Sequence, residues 1–556
     1  IKGISNEMTT LVTKMYEGCH TLIKAAENEV VTIQLKRGVK QGDPLSPLLF
    51  NLGIEPILEK IDETSEGIHL EGGKTAILAF ADDIVLIAKD KKEGQKQLTT
   101  LHRELQKLGM ELSIPKCSTF QIKPAHKSWY VVNPELRIDN EQIQCTGPDE
   151  TFSYLGAKMG PWKGCYQGVV VQDVLKLIDR TQKLQLKPHQ KIDIISTYIL
   201  PKFIHSLLTC PPSGSTLKLL DSEIRQKIKE ILHLPSSTIS GFIYTPKKDG
   251  GLGFPKLENI IKIATLKGGI KMQNSYDQTI AAIAKSDKYE KHLKETANSL
   301  RINWAASLDE IERAKKMLKE RASKEWDALK SQGQGVNDFR NDPIGNTWLS
   351  RPNMLKASRY IDAIKLRTNT FGTRVVLKRA KVIPDVTCRR CKGQAESLGH
   401  VLVNCTFTKP MRIRRHDEIK EFLINKLSKK FDVTVEPSMQ TDKGLRNPDL
   451  IIQNKERVAV VDVSVRYEDR EYLQNAMDEK MEKYKDLAES IRNSTQKKEG
   501  IVIPVIVGFR GALPYKTKKR LKDLGFSKLD MLTISLIALR SSNEIANAFI
   551  DYDKIA

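Results

Sequence analysis

The fold of the chain is decided around residues 75–88, which read TAILAFADDIVLIA. Two short apolar runs rich in β-forming residues flank Asp82 and Asp83, so the pattern predicts a β-hairpin with both carboxylates at its turn. Adjacent carboxylates repel each other, and a divalent cation with oxygen ligands would offset that repulsion. Polymerases use two such ions to align a hydroxyl with a phosphate. An ordinary exposed hairpin with an Asp-Asp turn would have the same local sequence.

The composition indicates a large protein with a polyanionic partner. The 556 residues suffice for about three or four domains, and 90 Lys and Arg against 68 Asp and Glu give a formal charge of +22. No apolar run approaches the roughly 18 residues of a membrane helix, so no membrane partner is expected. The longest run, Ile501 to Phe509, contains a proline and is typical of a buried strand.

A glycine-rich loop precedes the predicted hairpin at residues 37–51, RGVKQGDPLSPLLFN. Gly38 and Gly42 permit a tight turn, and Pro44 suits the first turn of a following helix. The backbone amides of such a loop, beside Lys40, could support a nucleotide or template phosphate. When the loop is considered alone, a plain helix N-terminus is the more common interpretation.

Four segments, in this order, resemble motifs B to E of reverse transcriptases. They are QGDPLSP at 41–47, FADD at 80–83, GMELSIPKC at 109–117 and FSYLG at 152–156, the last being typical of non-LTR retroelements. The resemblance implies an RNA-directed DNA polymerase that uses Mg²⁺, an RNA template and deoxynucleoside triphosphates.

The same resemblance implies roles for individual residues. Asp82 and Asp83 would hold catalytic Mg²⁺, and Lys116 would assist the incoming triphosphate. The residues that would position template, nucleotide and primer are Arg37, Gly38, Lys40, Gln41, Gly42, Phe152, Leu155 and Gly156.

One carboxylate that this chemistry needs is not found in the expected place. Two-metal phosphoryl transfer uses a further acid, which the family supplies from an apolar strand upstream of the glycine-rich loop. Before Asp82 the chain has only Asp43, inside the loop, and Asp62, in a polar segment after a helix. Because the first residue is Ile1 rather than Met, we expect the chain to be the C-terminal part of a longer protein. We also expect that it does not polymerise by itself.

Helical patterns follow the polymerase-like region. Residues 256–370 are lysine-rich, and from about Gln172 to His233 apolar residues recur at helical spacing beside many lysines. The predicted apolar face comprises Leu175, Ile178, Leu184, Ile192, Ile195 and Ile199. Such helices suit a thumb that grips a primer–template duplex by its phosphates, although a solvated helical bundle predicts the same pattern.

Three cysteines and a histidine have the spacing of a tetrahedral zinc site. The ligands would be Cys388, Cys391, His400 and Cys405, spaced C-x2-C-x8-H-x4-C. Four protein ligands leave no open position, so this zinc would be structural. Unrelated buried cysteines are the alternative. The surrounding arginines are expected to hold nucleic acid: Arg389, Arg390, Arg412, Arg414 and Arg415.

Residues 430–556 have the pattern of an α/β domain. The predicted strands begin at Pro448 and cover Val458–Tyr467 and Ile501–Phe509, and a helix from about Arg470 to Asn493 joins the last two. Asp462 lies in the middle of a Val-rich strand, which costs free energy unless a metal or partner offsets its charge.

The C-terminal acids suggest a hydrolytic site. Asp449 begins the strand next to that of Asp462, so both carboxylates can converge on one Mg²⁺. On the helix, Lys480 falls within the apolar face and Lys483 falls at its margin. An inward lysine beside paired acids is the arrangement of a metal-dependent nuclease, in which the ammonium offsets transition-state charge.

This arrangement resembles the restriction-like endonuclease of non-LTR retrotransposons that insert in ribosomal RNA genes, where it follows a Cys-Cys-His-Cys knuckle. The resemblance implies that Asp449, Asp462 and Lys480 cut DNA. The chain departs from the family pattern with Asn447 before Pro-Asp and with Ser464 where a lysine is usual. An inert α/β module whose acid is satisfied by its neighbours is the alternative.

Together these patterns predict a multidomain α+β and α/β protein. The predicted domains are a partial reverse transcriptase palm (1–165), a helical thumb (166–240), a basic helical linker (241–375), a CCHC zinc knuckle (376–415) and a restriction-like endonuclease (430–556). In the family, the endonuclease nicks chromosomal target DNA in the nucleus, and the new 3′-hydroxyl primes copying of the element RNA. A non-catalytic nucleic-acid-binding remnant or domesticated protein is the alternative.

Overall fold

The computed structural model describes residues 3–24, 30–34, 36–70, 73–162, 164–165, 168–304, 307–340, 342–469 and 471–555. These residues form a mixed α/β structure with two compact units. The first unit combines residues 1–167 with 269–292, and the second combines 168–268 with 293–556. Within the described ranges, no helix is long and apolar enough to cross a membrane.

Short antiparallel strand pairs and a few helices build the first unit. Its elements up to residue 167 are α1 (Asn6–Tyr16), β1 (His20–Lys24), β2 (Val30–Gln34), α2 (Ser46–Thr64), β3 (Ile68–Leu70), β4 (Gly73–Thr75), β5 (Ile77–Phe80), β6 (Asp83–Leu86), α3 (Lys91–Lys107), β7 (Ser118–Thr119), β8 (Gln121–Ala125), β9 (Ser128–Val132), β10 (Arg137–Ile138), β11 (Glu141–Gln142), β12 (Gln144–Cys145), β13 (Phe152–Tyr154), β14 (Ala157–Gly160) and β15 (Gly164–Cys165). Most strands pair with their neighbour in sequence, β7 pairs with β12 in parallel, and β13, β14 and β15 form one sheet.

The predicted hairpin is present and packs against two helices. β5 and β6 are antiparallel, with Phe80 opposite Asp83, so Ala81 and Asp82 form the turn. The packed side chains come from α2, α3 and both strands: Ile57, Ile61, Ile77, Ile84, Leu86, Leu101 and Leu105. The apolar runs therefore anchor the hairpin, while the two acids remain exposed at its tip.

Helix α2 begins later than the sequence pattern predicts. It starts at Ser46, with Pro47 rather than Pro44 in its first turn. The side chain of Asp43 is the cause, because its Oδ1 accepts a hydrogen bond from Leu45 N at 2.9 Å and holds a turn ahead of the helix. Asp62, expected after a helix, lies inside α2.

Helices dominate between residues 168 and 427. They are α4 (Gly168–Lys183), α5 (Pro188–Ile194), α6 (Leu200–Thr209), α7 (Gly214–Ile231), α8 (Ser240–Tyr244), α9 (Leu257–Gln273), α10 (Gln278–Lys285), α11 (Asp287–Ser299), α12 (Leu308–Asp327), α13 (Val336–Phe339), α14 (Thr347–Ser350), α15 (Ala357–Arg367), α16 (Arg374–Arg379) and α17 (Lys409–Leu427). The predicted apolar face is buried at Ile178, Ile192, Ile195 and Ile199. Leu184 is exposed instead, because α4 ends one residue before it.

A four-stranded sheet organises the C-terminal part of the second unit. The elements are β16 (Asp432–Val435), β17 (Met439–Thr441), β18 (Gly444–Arg446), β19 (Leu450–Gln453), β20 (Arg457–Arg466), α18 (Tyr472–Thr495), β21 (Glu499–Gly508), α19 (Tyr515–Asp523) and α20 (Lys528–Ile555). The strand order is β16-β19-β20-β21, and only β20 and β21 are parallel. The predicted strands and the helix joining them are confirmed to within a few residues, although Arg470 lies outside the described residues. The sequence patterns did not predict β16 or the β17–β18 hairpin.

Helices cover both faces of this sheet. On one face, α18 packs against β19 and β20 through Ile451, Val458, Val460, Tyr484, Leu487, Ala488 and Ile491. On the other face, α17 and α20 pack against β20 through residues that include Ile419, Leu423, Val461, Val463 and Ile534. The valines of β20 alternate between the two layers because successive side chains in a strand point to opposite faces.

A buried ion pair fastens the sheet to the preceding helices. Arg510 Nε lies 3.1 Å from Glu468 Oε2, and both side chains are fully buried. The backbone N–H of Arg510 also donates to Glu468 Oε1 at 2.7 Å. Arg367 of α15 donates to Arg510 O at 3.2 Å and to Asn346 Oδ1 at 2.7 Å. This network ties the chain from residue 346 onward to the end of β21.

We expect Glu468→Ala to lower the free energy of unfolding of the second unit by about 3–5 kcal/mol, because it leaves the Arg510 guanidinium buried without its partner. Urea unfolding followed by tryptophan fluorescence measures this change, since Trp326 and Trp348 are both buried in the second unit. The matched control is Glu456→Ala, which removes an exposed ion pair with Lys498 at 3.8 Å and should change little. Equal losses in the two variants would contradict the structural role of the network.

Candidate functional site

The carboxylate hairpin, residues 77–86, presents two acids on a strained turn. Ala81 adopts a φ of 53°, a left-handed conformation that non-glycine residues rarely take. Asp82 follows it in the turn, and Asp83 is the first residue of β6. Both acids are exposed at the tip, where an ion could reach them.

A second hairpin, β13–β14, lies close to these acids. Its turn is Leu155-Gly156, with φ values of 46° and 77°, as a tight hairpin between twisted strands requires. Burial raises the pKa of the Tyr154 phenol, and the nearby carboxylate of Asp83 raises it further. Phe152 packs against Phe120, with ring centroids 6.0 Å apart. Tyr154 therefore places this second hairpin near the carboxylate hairpin.

The glycine-rich loop is held by contacts of its own. Gly38 and Gly42 have φ values of 83° and 89°, which glycine adopts without strain. Lys40 Nζ donates to Met15 O at 3.2 Å and lies 5.1 Å from the ring centroid of Tyr16. The ammonium of Lys40 is thus engaged by α1, whereas Gln41 is exposed.

Two further predicted residues border this region. Lys116 ends a short 3₁₀ turn, Ile114–Lys116, and its side chain is exposed. Arg37 lies beside Gly109, where an added Cβ would come within 3.0 Å of Arg37 Nη1. Gly109 therefore leaves room for this guanidinium.

The two aspartates that precede Asp82 both accept hydrogen bonds from backbone amides. Asp43 Oδ1 accepts from Leu45 N at 2.9 Å, and Asp62 Oδ1 accepts from Ala76 N at 3.3 Å. Neither acid forms part of a larger ligand cluster. Among the described residues, the one group of three or more His, Cys, Asp or Glu side chains able to share an ion is the cysteine cluster.

The cysteine cluster consists of Cys388, Cys391, His400 and Cys405, whose ligand atoms all lie within 4.8 Å of one another. The sulfurs of Cys388 and Cys405 are 3.9 Å apart, close to the roughly 3.8 Å edge of a tetrahedron with 2.3 Å zinc–sulfur bonds. His400 Nε2 is 3.2 Å from Cys391 Sγ, and its Nδ1 is 3.1 Å from Gln394 Oε1. A proton on Nδ1 leaves Nε2 free to bind a metal. The donor set therefore fits zinc.

Hydrogen bonds and burial act differently on the thiols of the cluster. The backbone N–H of Gly393 lowers the pKa of Cys391, whereas burial raises the pKa of Cys405 to about 11. A bound cation would hold such thiols as thiolates.

Most arginines around the cluster have partners within the protein, and their role in holding nucleic acid stays a prediction. Their partners are acids or backbone carbonyls: Glu396 for Arg389, Phe549 O for Arg390, Val403 O and Cys405 O for Arg412, and Leu402 O for Arg415. Arg414, 83% exposed and 3.4 Å from Glu418, is the exception. The other four are engaged by these contacts within the protein.

The C-terminal acids meet at one end of the four-stranded sheet. Leu450 is opposite Val461, so the register continued by one residue places Asp449 opposite Asp462. Asp462 is 3% exposed and shares the α18 face of β20 with Val460. Lys480 Nζ of α18 lies 2.8 Å from Asp462 Oδ2, and Asp449 Oδ2 accepts from Val463 N at 2.6 Å. The sheet and α18 thus bring all three predicted residues together.

Two residues at this site were missed by the sequence analysis. Tyr484 donates to Asn447 O at 3.1 Å, and burial followed by the charge of Asp462 raises the pKa of its phenol. His416 Nε2 lies 3.1 Å from Asp449 Oδ2, a contact that raises the pKa of the imidazole. The spacing of one helical turn between Lys480 and Tyr484 was the available signal for the tyrosine. No local signal marks His416.

The remaining residues near the site have other partners. Lys483 is exposed, with Nζ 4.8 Å from the ring centroid of Tyr484. Arg446 binds Asp486 of α18 at 3.2 Å, which braces the β17–β18 hairpin against the helix. Ser464, at the position where a lysine is usual, is buried. A cation at Asp449 and Asp462 would have oxygen ligands of the kind that Mg²⁺ prefers, with waters or phosphate completing its shell.

The comparisons with known proteins point to one kind of protein. Residues 1–159 match the family model for reverse transcriptase (RNA-dependent DNA polymerase). The chain is 27% identical over 473 residues to the Pol polyprotein from the type-1 retrotransposable element R2 of Nasonia vitripennis, covering 84% of this chain and 44% of that protein. It is 26% identical over 554 residues to the polyprotein from the element R2DM of Drosophila melanogaster, covering 97% of this chain and 51% of that protein.

A polyprotein from the R2 element of Popillia japonica is similar over 534 residues at 28% identity, covering 94% of this chain and 72% of that protein. The chain thus spans about half the length of the first two relatives. The similarity to the Drosophila melanogaster protein covers 97% of this chain and so extends well beyond the residues matched by the reverse transcriptase model. The chain is therefore similar over most of its length to the Pol polyproteins of R2 retrotransposable elements, and its residues 1–159 match a reverse transcriptase domain.

Proposed function

We propose that the protein acts in target-primed reverse transcription. Its C-terminal sheet and helices would form an endonuclease that nicks chromosomal target DNA, and its reverse transcriptase domain would copy the element RNA from the new 3′-hydroxyl. One observation chiefly supports the nuclease: buried Asp462 forms an ion pair with Lys480, and Asp449 lies next to it in the strand register. The work would take place in the nucleus, where the target DNA is.

The polymerase part of the proposal rests on the carboxylate hairpin within the matched domain. Asp82 and Asp83 would hold Mg²⁺, which supplies charge stabilisation at the transferred phosphate. Tyr154 lies near Asp83, and residues 152–156 would hold the primer end against these acids. Gln41 and Gly42 would position template and nucleotide, and Lys116 would lie near the triphosphate.

The same proposal requires a further acid for two-metal chemistry. Asp43 and Asp62 do not fit that role, because Asp43 lies in the turn ahead of α2 and Asp62 lies inside α2, so neither stands on a strand beside the carboxylate hairpin. We therefore assign only Asp82 and Asp83 as metal ligands in this domain, so copying would need a further carboxylate and the chain is not expected to polymerise by itself.

The nuclease part follows from the charges at the end of the sheet. Asp449 and Asp462 would hold Mg²⁺, which supplies Lewis-acid charge at the scissile phosphate. Lys480 offsets the cost of burying Asp462 and presents an ammonium that would balance negative charge as the phosphate is attacked. The hydroxyl of Tyr484 is fixed by Asn447 O, so the ring closes one side of the site.

The cysteine cluster would hold a structural zinc in this scheme. Its four protein ligands leave no position for substrate. Arg412 donates to Cys405 O, and Arg415 joins the cluster to α20 through Ser542 Oγ at 2.9 Å. The zinc would therefore fix the start of α17 against the C-terminal sheet.

We expect Asp462→Ala to abolish Mg²⁺-dependent nicking of duplex DNA while DNA binding stays nearly unchanged, since binding depends on basic surface charge. Lys480→Ala should lower the single-turnover nicking rate by about 10²–10³-fold, and Lys483→Ala should lower it only slightly. Lys483 is the matched control, because it lies on the same helix but is exposed. Unchanged nicking by Asp462→Ala would remove the nuclease assignment, and a larger loss in Lys483→Ala would transfer the catalytic role to that lysine.

We expect one zinc per chain in protein purified without chelator, and Cys391→Ser should lose it and make residues 380–410 sensitive to protease. The matched control is Cys19→Ser, which changes a cysteine outside the cluster and should keep the zinc. Elemental analysis by mass spectrometry measures the metal, and limited proteolysis measures the loosening. Zinc-free wild-type protein would exclude the zinc site.

A further inference from the structure

We propose that His416 is a positioning residue of the Asp449 centre: by binding one carboxylate oxygen of Asp449, it turns the other oxygen toward the cation. The inference rests on the proposed nuclease function and assigns a residue outside the Asp449, Asp462 and Lys480 set. His416 belongs to α17, which covers the opposite face of the sheet from α18. Two helices from two layers thus converge on a single pair of acids.

The hydrogen bonds of Asp449 are divided unequally between its two oxygens. Oδ2 accepts from Val463 N at 2.6 Å and lies 3.1 Å from His416 Nε2. An oxygen with two donors has little remaining capacity for a cation, so Oδ1 is the oxygen suited to metal binding. The main chain is fixed as well, because Asp449 O accepts from Glu436 N at 2.8 Å.

His416 is itself held in place from its far side. Its Nδ1 lies 3.3 Å from Asp417 Oδ1, and the same oxygen is 3.1 Å from Lys420 Nζ. Lys420 is mostly buried and also pairs with Glu436, the residue whose backbone binds Asp449. These connected ion pairs and hydrogen bonds hold the imidazole ring of His416 in one orientation.

The position of α17 links the contact between His416 and Asp449 to the cysteine cluster and the core. α17 begins at Lys409, just after the last cluster cysteine, and is packed into the core at Ile419 and Leu423. The cysteine cluster and the core therefore fix the position of His416 relative to the sheet. Hydrogen bonds to metal-binding carboxylates of this kind commonly change metal affinity by about 10–100-fold.

The test measures Mn²⁺ binding by electron paramagnetic resonance of free Mn²⁺, using the full zinc-loaded chain without DNA. Asp82→Asn and Asp83→Asn are included in every protein so that the carboxylate hairpin does not contribute. We expect His416→Ala to weaken Mn²⁺ binding about 10–100-fold and to raise the Mg²⁺ concentration for half-maximal nicking in parallel. His416→Gln should restore most of the affinity, because its amide nitrogen can donate from nearly the position of Nε2.

The matched control is His102→Ala, which removes a similar His–Asp contact, 3.3 Å from Asp139, in the first unit. It should bind Mn²⁺ like the parent. Mn²⁺ affinity within twofold of the parent for His416→Ala, together with loss of binding in Asp449→Asn, would overturn the role of His416 and leave the nuclease centre intact. Parent-like binding by Asp449→Asn would overturn the metal centre and the role of His416 together. If His416→Ala does not fold, affinity in His416→Gln reduced as far as in Asp449→Asn would also overturn the proposal.

Discussion

The C-terminal half of the structure depends on one ion pair, Asp462 with Lys480, whose charged atoms are 2.8 Å apart. A carboxylate in the middle of a Val-rich strand costs several kcal/mol of free energy unless a partner offsets it. Lys480 offsets it from α18, and that contact fixes the rotation of the helix over β20. The same rotation brings Tyr484, one turn further along, to the main chain at Asn447. The pair therefore sets the geometry of the whole site.

The site lies where three layers of structure end together. α18 contributes Lys480 and Tyr484 on one face, the strands contribute Asp449 and Asp462, and α17 contributes His416 from the other face. Separate contacts hold the helices on the two faces in place. The cysteine cluster and Arg415 hold α17, and the buried Glu468–Arg510 pair holds the turn between β20 and α18 against the end of β21. Such bracing gives two acids a defined separation before any cation binds.

Local sequence patterns predicted the elements that depend on residues close to one another in the sequence. Apolar runs rich in β-forming residues specified the carboxylate hairpin and β20, helical spacing specified α18, and cysteine spacing specified the cluster. Long-range contacts could not be predicted in this way. His416 meets Asp449 across 33 residues of sequence, and Arg390 finds its carbonyl partner 159 residues away. An arginine bound to a distant carbonyl has the same local sequence as one that binds phosphate, so the sequence could not reveal the partners of the arginines near the cluster. The start of α2 was misplaced because Asp43 bonds its own backbone.

The most direct test of this account is a double-mutant cycle of Asp462→Asn and Lys480→Met, measured both as the free energy of unfolding and as DNA nicking. If the two residues act as one buried pair, each single variant leaves an unpaired polar group. The double variant should then be at least about 1 kcal/mol more stable than the sum of the single effects predicts. Nicking should be slowed by at least about 10²-fold in all three proteins, because the site needs both charges. Additive changes in stability, or nicking retained by the double variant, would contradict the account.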